Sequence, residues 1–450
     1  MTNTAQTSLR GWLARLEQTG RLARTRPGIS LQFTLAALAK RLDGEKATWF
    51  AQPDGHPVDV VSGLLSTRAW VAEAMGVSEG EVADRYQNAI DAPLPWREVD
   101  GALGVQQVVN RSPDLGRDLP IPVHNEHDSG AYITAGLVIA RNPQTGAQNV
   151  SINRLQVSGP DRLGILILPR DLHRFHDLAE RSGQALSVAV VIGVDPLTML
   201  ASQAIVPMDL DELTIAGALH GAPLAVTKCI TSEVRVPADA EIVIEGEILA
   251  LERAAEGPFG EFPQYYGPAG QRQVIQVNAI THRRKPIFHT IVPAAMEHLL
   301  LGAIPREASL LALLRRTFPH VLEVHLSLGG VCRYHLNVRI KKRWDGEPKN
   351  IILAAMSGHA DIKRVVVVDE DVDVRDPNAV EWALATRFQA SQDLIVVNNT
   401  QGSRLDPSGR DGLVDKMGYD ATVPVVADPF RYTVVHVPGE DDASTDEWLI

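Results

Sequence analysis

The chain has 450 residues, of which 45% are hydrophobic and 22% charged, a composition that indicates a globular rather than a disordered protein. Its length predicts several domains. The formal net charge is −12 and no basic run is visible, which argues against nucleic acid and membrane surfaces as partners. Two cysteines without a Cys/His cluster argue against a disulfide framework, a structural zinc and an iron–sulfur cluster.

The amino-terminal part predicts a helix followed by a small α/β unit. Apolar residues recur at helical spacing between Ser8, a candidate N-cap, and Gly20. The strand-like runs ATWFAQ and VDVVSG then alternate with the helical run STRAWVAEAMG. The first residues lack the unbroken apolar core of a signal peptide and the length of a membrane span, so we expect a cytoplasmic protein.

The middle of the chain, from about Ile121, has the pattern of an antiparallel sheet. Short β-rich runs are separated by turn signals, with few long helices between them, and this predicts a mainly antiparallel sheet or barrel. After a leucine-rich helix, strands such as RYHLNVRI and RVVVVDEDVD alternate with the helix AVEWALATRF, which predicts a further α/β unit. The acidic residues 439–450 are expected to form a tail.

The string AAEGPFGEFPQYYG carries two carboxylates, Glu256 and Glu261, in a segment that Pro258 and two glycines keep from being a regular helix. Glycines let a backbone approach a ligand closely, and the nearby aromatic residues would dry the site. A dry site raises the pKa of a carboxyl and suits a general acid. On local chemistry alone, a surface turn with solvated glutamates is the commoner outcome for such a string.

The run NVSINRLQV is read as one strand, which would put Val150, Ile152 and Arg154 on the same face. An arginine beside two buried apolar residues needs an anionic partner, and its planar fork binds a carboxylate bidentately. Arg154 is therefore a candidate clamp for a substrate acid. An edge strand with a snorkelling arginine is the alternative.

Two further segments carry weaker signals. Lys363 precedes an apolar strand and is a candidate phosphate ligand, although most lysines at strand edges are solvated. Asp209, Asp211 and Glu212 supply oxygen ligands that suit Mg²⁺ or Mn²⁺, while an acidic first turn of a helix is the commoner explanation. No P-loop, dinucleotide fingerprint, nucleophile elbow or HExxH motif occurs in the sequence.

Taken together, these segments resemble the UbiD-like decarboxylases, which use prenylated FMN. The similarity runs from about Tyr132 to Thr422 in the order found in that family. The shared strings are NVSINR, DELTIAGALHGAPL running into VTKC, EGPFGEF, SGHADIKRVVVVDEDVDVRD, WALATRF, and LDPSGRDG with KMGYDAT.

The resemblance implies a multidomain protein of the α+β or α/β class. It predicts an N-terminal α/β domain at residues 1–115, a central split β-barrel that binds the prenylated flavin at 116–306, and a C-terminal α/β domain at 307–450 that builds a homodimer or higher oligomer. A flavin prenyltransferase would supply the cofactor. The expected reaction is a reversible, non-oxidative decarboxylation of an aromatic or heteroaromatic acid, with CO₂ as the other product.

The resemblance also implies roles for individual residues. Arg154, Glu256 and Glu261 fall on the family's catalytic Arg-Glu-Glu set, with Arg154 placing the carboxylate and Glu261 acting as the acid. The residues it assigns to the cofactor are Asn149, Ser151, Ile152, Asn153, Arg154, Leu155 and Lys363.

The divalent metal that anchors the cofactor phosphate would use Asn149 and Glu212. Where relatives often carry Pro-x-His, this chain reads Pro-Arg-Asp, so Asp171 is the candidate third ligand and His173, two residues later, is the alternative. An all-oxygen set favours Mn²⁺ or Mg²⁺. K⁺ is a further candidate ion.

Two residues point to a substrate class. His298 and Arg306, in MEHLLLGAIPRE, resemble the branch of the family that acts on furan, pyrrole, indole or related acids, where they would meet a second carboxylate or a ring heteroatom. A histidine at a helix start and a surface arginine form the plainer interpretation. A flavin-dependent oxidoreductase and a catalytically impaired cofactor-binding subunit are the alternative functions.

Overall fold

The computed structural model describes residues 8–439, so all but the first residue of the predicted acidic tail lies outside it. The described residues contain α-helices of 4 to 22 residues. They are α1 (Leu9–Gln18), α2 (Thr34–Arg41), α3 (Arg68–Met75), α4 (Val82–Asp91), α5 (Leu115–Asp118), α6 (Asp171–Arg181), α7 (Pro196–Ala201), α8 (Glu212–His220), α9 (Met296–Thr317), α10 (Glu347–Gly358), α11 (Pro377–Arg387) and α12 (Ala390–Asp393).

The strands form three larger sheets and two small ones within the described residues. They are β1 (Leu22–Arg24), β2 (Ala47–Phe50), β3 (Asp59–Ser62), β4 (Arg97–Glu98), β5 (Val108–Asn110), β6 (Tyr132–Ile133), β7 (Leu137–Arg141), β8 (Gln148–Ile152), β9 (Leu155–Gly159), β10 (Arg162–Ile165), β11 (Leu186–Ile192), β12 (Ala225–Lys228), β13 (Arg235–Pro237), β14 (Ile242–Glu256), β15 (Phe259–Gly260), β16 (Tyr266–Gly267), β17 (Gly270–His282), β18 (Ile287–His289), β19 (Val321–Leu326), β20 (His335–Ile340), β21 (Arg364–Asp369), β22 (Leu394–Gln401) and β23 (Leu413–Ala421).

The amino-terminal unit is the α/β arrangement that the sequence predicts. Helix α1 begins where its pattern indicates, because the Ser8 hydroxyl accepts the backbone N–H of Gly11 as an N-cap. Its apolar face packs on a four-stranded sheet of order β1-β2-β3-β18. Strand β18, which follows β17 of the central sheet along the chain, pairs parallel with β3, so a short connection joins the two units.

The central unit is the antiparallel sheet that the frequent short strands predict. Its nine strands run β6-β9-β10-β17-β14-β11-β7-β8, with β5 paired to β17. The sheet is open, since its end strands β6 and β8 are not hydrogen-bonded to each other in the described structure. The long strands β14 and β17 pair over most of their length and form its spine.

The carboxyl-terminal unit is a mixed sheet of order β19-β20-β21-β23-β22, with β20, β21 and β23 parallel. Its parallel strand β21 carries an unbroken run of four buried valines, which is typical of a strand covered on both faces. The 22-residue helix α9 leads from the central unit into this one, and Pro305 lies within it. No helix among residues 8–439 has the length and apolarity to cross a lipid bilayer.

One element differs from the sequence interpretation. The run NVSINRLQV is two strands, because β8 ends at Ile152 and β9 begins at Leu155. Strand β8 pairs with β7, whereas β9 pairs with β10 and β6. Asn153 holds the break, since its amide donates to the carbonyl of Leu166 at 3.0 Å while its Oδ1 accepts the Ser151 hydroxyl at 2.9 Å. The alternation therefore does not extend to Arg154, which lies in the break.

Candidate active site

The string with two carboxylates folds into a short hairpin, called here the carboxylate hairpin (residues 256–267). Glu256 is the last residue of β14, and β15 and β16 pair antiparallel on either side of Glu261. Two glycines permit the close approach of this hairpin to Arg154. A Cβ on Gly267 would lie 2.9 Å from Nη1 of Arg154, and Gly257 has a φ of 84° that L-residues rarely adopt.

Arg154 lies between the two glutamates. Its Nε and Nη2 donate to the two oxygens of Glu256 at 2.9 and 2.8 Å, and its Nη1 donates to Oε1 of Glu261. The three side chains are 7%, 0% and 11% exposed in the order Arg154, Glu256, Glu261. A surface turn with solvated glutamates and a snorkelling arginine are therefore both wrong for this site.

Burial sets the protonation of this group. Burial is the largest influence on Glu261 and raises its pKa, although the Arg154 guanidinium works in the opposite direction. Burial also opposes the charge of Arg154, but the hydrogen bonds and charges of its two glutamates outweigh this and raise the pKa of the guanidinium. The group therefore combines a permanent cation with a carboxyl suited to carry a proton.

Aromatic residues enclose the group. The Phe259 ring lies 5.5 Å from the Arg154 guanidinium carbon and 4.3 Å from the Tyr132 ring. The Tyr132 hydroxyl reaches Oε1 of Glu256 at 3.2 Å. Tyr132 has no exposed surface, and nothing in its local sequence, a short apolar strand, signals a role beside a carboxylate.

The residues expected to hold a metal are partly brought together. Asn149 on β8 donates through Nδ2 to Oε1 of Glu212 at 2.9 Å, and the backbone N–H of Val150 donates to its Oε2 at 2.7 Å. Glu212 is the first residue of α8, and burial raises its pKa to about 8. The Oδ1 of Asn149 is buried and accepts no hydrogen bond from any residue between 8 and 439. This orphaned oxygen beside a buried carboxyl is a donor pair that suits a hard cation.

The neighbouring acids have structural contacts. Asp211 is the N-cap of α8, where its carboxylate accepts the N–H of Leu213 and the indole N–H of Trp96. Asp209 accepts hydrogen bonds from Asn142 and Thr145. The interpretation as an acidic helix start holds, since Asp211 caps α8 and Glu212 lies in its first turn, but Glu212 is buried rather than solvated.

The candidate third metal ligand begins another helix. Asp171 is the first residue of α6, and its charged neighbours are Arg170 and Asp209; burial raises its pKa. His173, the alternative, is exposed. Within residues 8–439 no group of three or more His, Cys, Asp or Glu side chains is arranged to hold a metal ion.

The other residues assigned to the cofactor lie at the strand break, except Lys363, which belongs to the C-terminal unit. Ser151 and Ile152 are half-buried at the end of β8, and Leu155 is fully buried at the start of β9. Lys363 precedes β21 as expected, and its ammonium group donates to Asp406 at 2.7 Å and to Ser408 at 2.6 Å.

His298 and Arg306 both lie on α9. The His298 imidazole accepts the N–H of Ala294 at 3.1 Å and packs at 6.5 Å from the ring of Phe262, the residue after Glu261. Burial, reinforced by nearby cations, lowers the pKa of His298 to about 3. The Arg306 side chain is only 13% exposed, so the interpretation as a surface arginine is wrong.

Two arginines of this region, Arg170 and Arg333, were not predicted as ligands from the sequence. We call Arg170, Arg306 and Arg333 the arginine cluster, because each influences the protonation of the others or of a shared neighbour. Arg333 is buried, lies 5.0 Å from the Phe262 ring, and donates to backbone carbonyls. With Asp361 as its acidic neighbour, three cations against one anion leave an excess of positive charge.

A glycine within α9 brings the cluster together. A Cβ at Gly302 would lie 1.6 Å from Nη2 of Arg333, and the Gly302 carbonyl accepts Nη1 of Arg306 at 2.7 Å. Glycine in a helix interior costs stability, so a close approach is a frequent reason for it. Gly302 in the string HLLLGAIPRE is therefore a sequence signal for a close approach to this helix, but it does not identify Arg333 as the group that approaches.

The chain matches three family models that together span most of its length. Residues 13–90, 97–296 and 299–421 match the N-terminal, Rift-related and C-terminal domains of 3-octaprenyl-4-hydroxybenzoate carboxy-lyase. The anhydromevalonate phosphate decarboxylase of Methanothermobacter thermautotrophicus is 39% identical over 82% of this chain and 86% of its own length.

Solved structures agree with these matches. The UbiD-class enzyme HmfF from Pelotomaculum thermopropionicum, in complex with FMN, has a TM-score of 0.96 at 49% identity, over 98% of this chain and 100% of its own. An evolved dimeric form of that enzyme, in complex with prFMN, has a TM-score of 0.93 at 46% identity, over 98% and 100% of the two chains. The chain therefore belongs to the UbiD family of decarboxylases.

Proposed function

We propose that this UbiD-family enzyme decarboxylates an aromatic or heteroaromatic acid of the furan, pyrrole or indole type, reversibly and with prenylated FMN as its cofactor. The single observation that carries the proposal is the Arg154 guanidinium held between two buried glutamates. An oxidoreductase would have no need for this arrangement, because hydride transfer requires neither a carboxylate clamp nor an acid to protonate carbon.

The residues present fit the phosphate end of such a cofactor with its cation. The unpaired Oδ1 of Asn149 and the buried carboxyl of Glu212 supply adjacent oxygen donors, which Mn²⁺ or Mg²⁺ prefers. We propose Asp171 as the third ligand, with K⁺ as a further ion. Ser151, Ile152, Asn153, Leu155 and Lys363 would complete the cofactor's surroundings. When bound, the prenylated flavin supplies the electron sink that no side chain offers to a vinyl or aryl carbanion.

Arg154 retains the capacity to bind a substrate carboxylate. A guanidinium has five N–H donors, and the three hydrogen bonds to Glu256 and Glu261 use one on each nitrogen. One N–H on each of Nη1 and Nη2 remains, and these are the donors that a substrate carboxylate would engage. The bidentate bond to Glu256 fixes the plane of the guanidinium and so orients the substrate acid.

Glu261 is the proposed proton donor to the carbon that loses CO₂. The overall change is RCOO⁻ + H⁺ → RH + CO₂, so each turnover consumes one proton from the acid. The raised pKa of Glu261 favours its protonated form, and its contact with Nη1 of Arg154 holds it beside the bound carboxylate.

The arginine cluster supports a substrate with a second anionic group. Burial lowers the pKa of Arg306 and Arg333 because it disfavours their charged form. Arginine nevertheless keeps its proton in proteins, so each carries a buried positive charge that a bound anion would neutralise. Phe262, which adjoins Glu261, touches both His298 and Arg333. A dicarboxylic heteroaromatic acid would place one carboxylate on Arg154 and the other on His298 and Arg306.

A phosphate-bearing unsaturated acid is the second candidate. Arginine forks bind phosphate as well as carboxylate, and a relative at 39% identity is named an anhydromevalonate phosphate decarboxylase. Both candidates use the same end of the site for the second anion. They differ in whether a flat aromatic ring or an aliphatic chain joins the two acid groups.

The test is turnover by the holoenzyme, produced by co-expression with a flavin prenyltransferase. Furan-2-carboxylate, furan-2,5-dicarboxylate, pyrrole-2-carboxylate, indole-3-carboxylate and anhydromevalonate phosphate are offered separately, and CO₂ release is measured. We expect release from furan-2,5-dicarboxylate, with a KM lower than that for furan-2-carboxylate. Release from anhydromevalonate phosphate alone would replace the first candidate by the second, and release from none would refute both.

A homodimer in the cytoplasm completes the proposal. Four exposed apolar side chains lie on the outer strands β22 and β23 of the C-terminal sheet, and such residues favour burial against another subunit. They are Leu394, Val396, Leu413 and Met417.

A further inference from the structure

His359 lies where the C-terminal unit meets helix α9. It is the residue directly after α10, and its side chain is 14% exposed. Its Nε2 lies 3.2 Å from Nε of Arg306, a residue of α9 whose side chain is 13% exposed. Histidine and arginine are therefore in contact within a largely buried part of the site, and the proposed reaction gives this histidine no part.

Both ring nitrogens of His359 face a hydrogen-bond donor. The Nε–H of Arg306 points at Nε2, and the backbone N–H of Asp361 points at Nδ1, also at 3.2 Å. Burial, reinforced by the charge of Arg306, lowers the pKa of His359 to about 4, so the ring is neutral near pH 7. A neutral imidazole has one N–H and one lone pair, so it can accept only one of these two bonds.

The energies of the two bonds favour acceptance from Arg306. A hydrogen bond from a charged donor is roughly twice as strong as one between neutral groups. A buried guanidinium without an acceptor is also more costly than a backbone amide without one. The ring proton then belongs on Nδ1. The Asp361 carboxylate lies 3.8 Å from that nitrogen, and a small rotation of the ring would bring the proton to it.

Two bonds then fix the plane of the Arg306 guanidinium. Its Nε donates to His359, and its Nη1 donates to the Gly302 carbonyl at 2.7 Å. A guanidinium has five N–H groups, so both N–H groups on Nη2 are left by these two bonds. The Asp361 carboxylate lies 4.0 Å from Nη2, which is beyond hydrogen-bond distance. The Nη2 end of Arg306 can therefore receive an anion.

We propose that His359 is a positioning residue, which orients Arg306 so that Nη2 meets the second acid group of the substrate. The inference rests on the proposed function and assigns part of its substrate selectivity to a residue that does not touch the substrate. A guanidinium that is already held loses less conformational entropy when the anion binds. A monocarboxylic acid has no group for Arg306, so the effect of His359 is confined to the diacid.

The experiment compares His359→Met with His359→Gln, two unbranched side chains of similar length. The Gln amide supplies an acceptor for Nε of Arg306 and a donor for Asp361, whereas the Met thioether is a weak acceptor. In the holoenzyme, we expect Met to raise the KM for furan-2,5-dicarboxylate roughly tenfold with little change in kcat, and Gln to restore it. The KM for furan-2-carboxylate should be the same in both variants and in the parent.

A second readout needs no turnover. The ring nitrogens of the histidines in the substrate-free holoenzyme are followed by NMR with ¹⁵N-histidine, which distinguishes a protonated from an unprotonated nitrogen. The signals of His359 are those that are missing from His359→Gln. We expect a proton on Nδ1 and an unprotonated Nε2, which is the form that accepts the Arg306 bond.

The outcomes separate this inference from the function on which it rests. Equal KM values for the diacid in the Met and Gln variants, or a proton on Nε2, overturn the positioning role. An equal rise of KM for both acids in the Met variant also overturns it, because His359 would then support the whole site and not Arg306. A parent holoenzyme that releases CO₂ from neither acid overturns the proposed function instead, and the position of the ring proton then decides whether His359 holds Arg306.

Discussion

At the scale of the residue, the Arg154 group has one positive charge for two carboxyls. Buried ions are costly unless each is paired, and the bidentate bond already matches Arg154 with Glu256. A second ionised carboxyl would leave a net negative charge among Tyr132 and Phe259. Protonation of Glu261 removes that charge, and burial, with a smaller contribution from the Glu256 charge, raises the pKa of Glu261 and suits it to act as an acid.

Glu261→Gln should abolish turnover while the protein keeps its fold. The amide has the volume of the carboxyl and can still contact Arg154, but it has no proton to give to carbon. We expect kcat to fall by roughly 10²-fold or more, measured as CO₂ release by the holoenzyme. Circular dichroism and flavin content should match the parent. Near-normal decarboxylation and product deuterium exchange would remove Glu261 from this role.

The metal proposal is tested at Asp171. Removal of one oxygen ligand should lower the affinity for Mn²⁺ or Mg²⁺. Without that cation, the flavin phosphate would lie next to carboxylates whose negative charge is not neutralised. Asp171→Ala should therefore lose metal, measured by elemental analysis, and release flavin on gel filtration. His173→Ala is the matched control on the same helix turn. If the His173 variant loses metal and flavin while the Asp171 variant retains them, then His173 and not Asp171 is the third ligand.

At the scale of the element, local pattern predicted some helices and most strands but neither helices such as α6 and α10 nor what interrupts a strand. Helix α1 and the separate strands of the central sheet follow from periodicity and turn residues. The break at Asn153 depends on a carbonyl of Leu166, thirteen positions away in sequence, which a strand pattern does not reveal. Regular alternation therefore misplaced Arg154.

The carboxylate hairpin shows that local sequence patterns also do not predict contacts between residues far apart in the chain. Arg154 is 102 and 107 residues from its two partners, so no local signal could bring them together. Glycine and proline predicted an irregular loop correctly, but burial decides whether its glutamates are solvated, and burial depends on the sheet around them. The resemblance to a family supplied the grouping that the residues alone did not.

Gly267→Ala tests the close approach within this hairpin. The new Cβ would lie 2.9 Å from Nη1 of Arg154 and 3.2 Å from Cγ of Glu261, so the guanidinium must shift from its clamp. Because the contact is the end of a side chain, we expect a thermal midpoint near that of the parent but a kcat lower by roughly tenfold or more. Gly329→Ala, which meets nothing within 4 Å, is the control. Equal kcat in both variants would mean that the clamp tolerates displacement.

At the scale of the whole molecule, the candidate site draws on two of the larger sheets and the helix between them. Arg154 comes from the central sheet, Arg306 from α9, and Arg333 from the segment before β20. The distance between Arg154 and the arginine cluster is therefore set by how the units pack. A substrate that reaches both would join the central and C-terminal units.

The packed interior also fixes how the molecule responds to acid. Burial lowers the pKa of His124 to about 3, and in four other histidines the pKa is lowered to about 3 or 4. They are His298, to about 3, and His325, His335 and His359, each to about 4. The unfolded chain binds protons at these histidines below about pH 6.5, whereas the folded chain does so only near its lowered values. Their contribution to the free energy of unfolding is thus complete above pH 6.5 and is lost as the pH falls toward the lowered pKa values.

His124→Asn isolates one of these contributions. Asparagine cannot titrate but can hydrogen-bond to the Thr290 hydroxyl, which lies 2.8 Å from Nε2 of His124. Between pH 6.5 and 4.5 we expect the parent to lose about 2 kcal/mol more stability than the variant, seen as a steeper fall of its thermal midpoint. Buried carboxyls with raised pKa values, such as Glu261, change stability in the opposite direction but equally in both proteins. Parallel midpoints over this pH range would mean that His124 is charged in the folded protein.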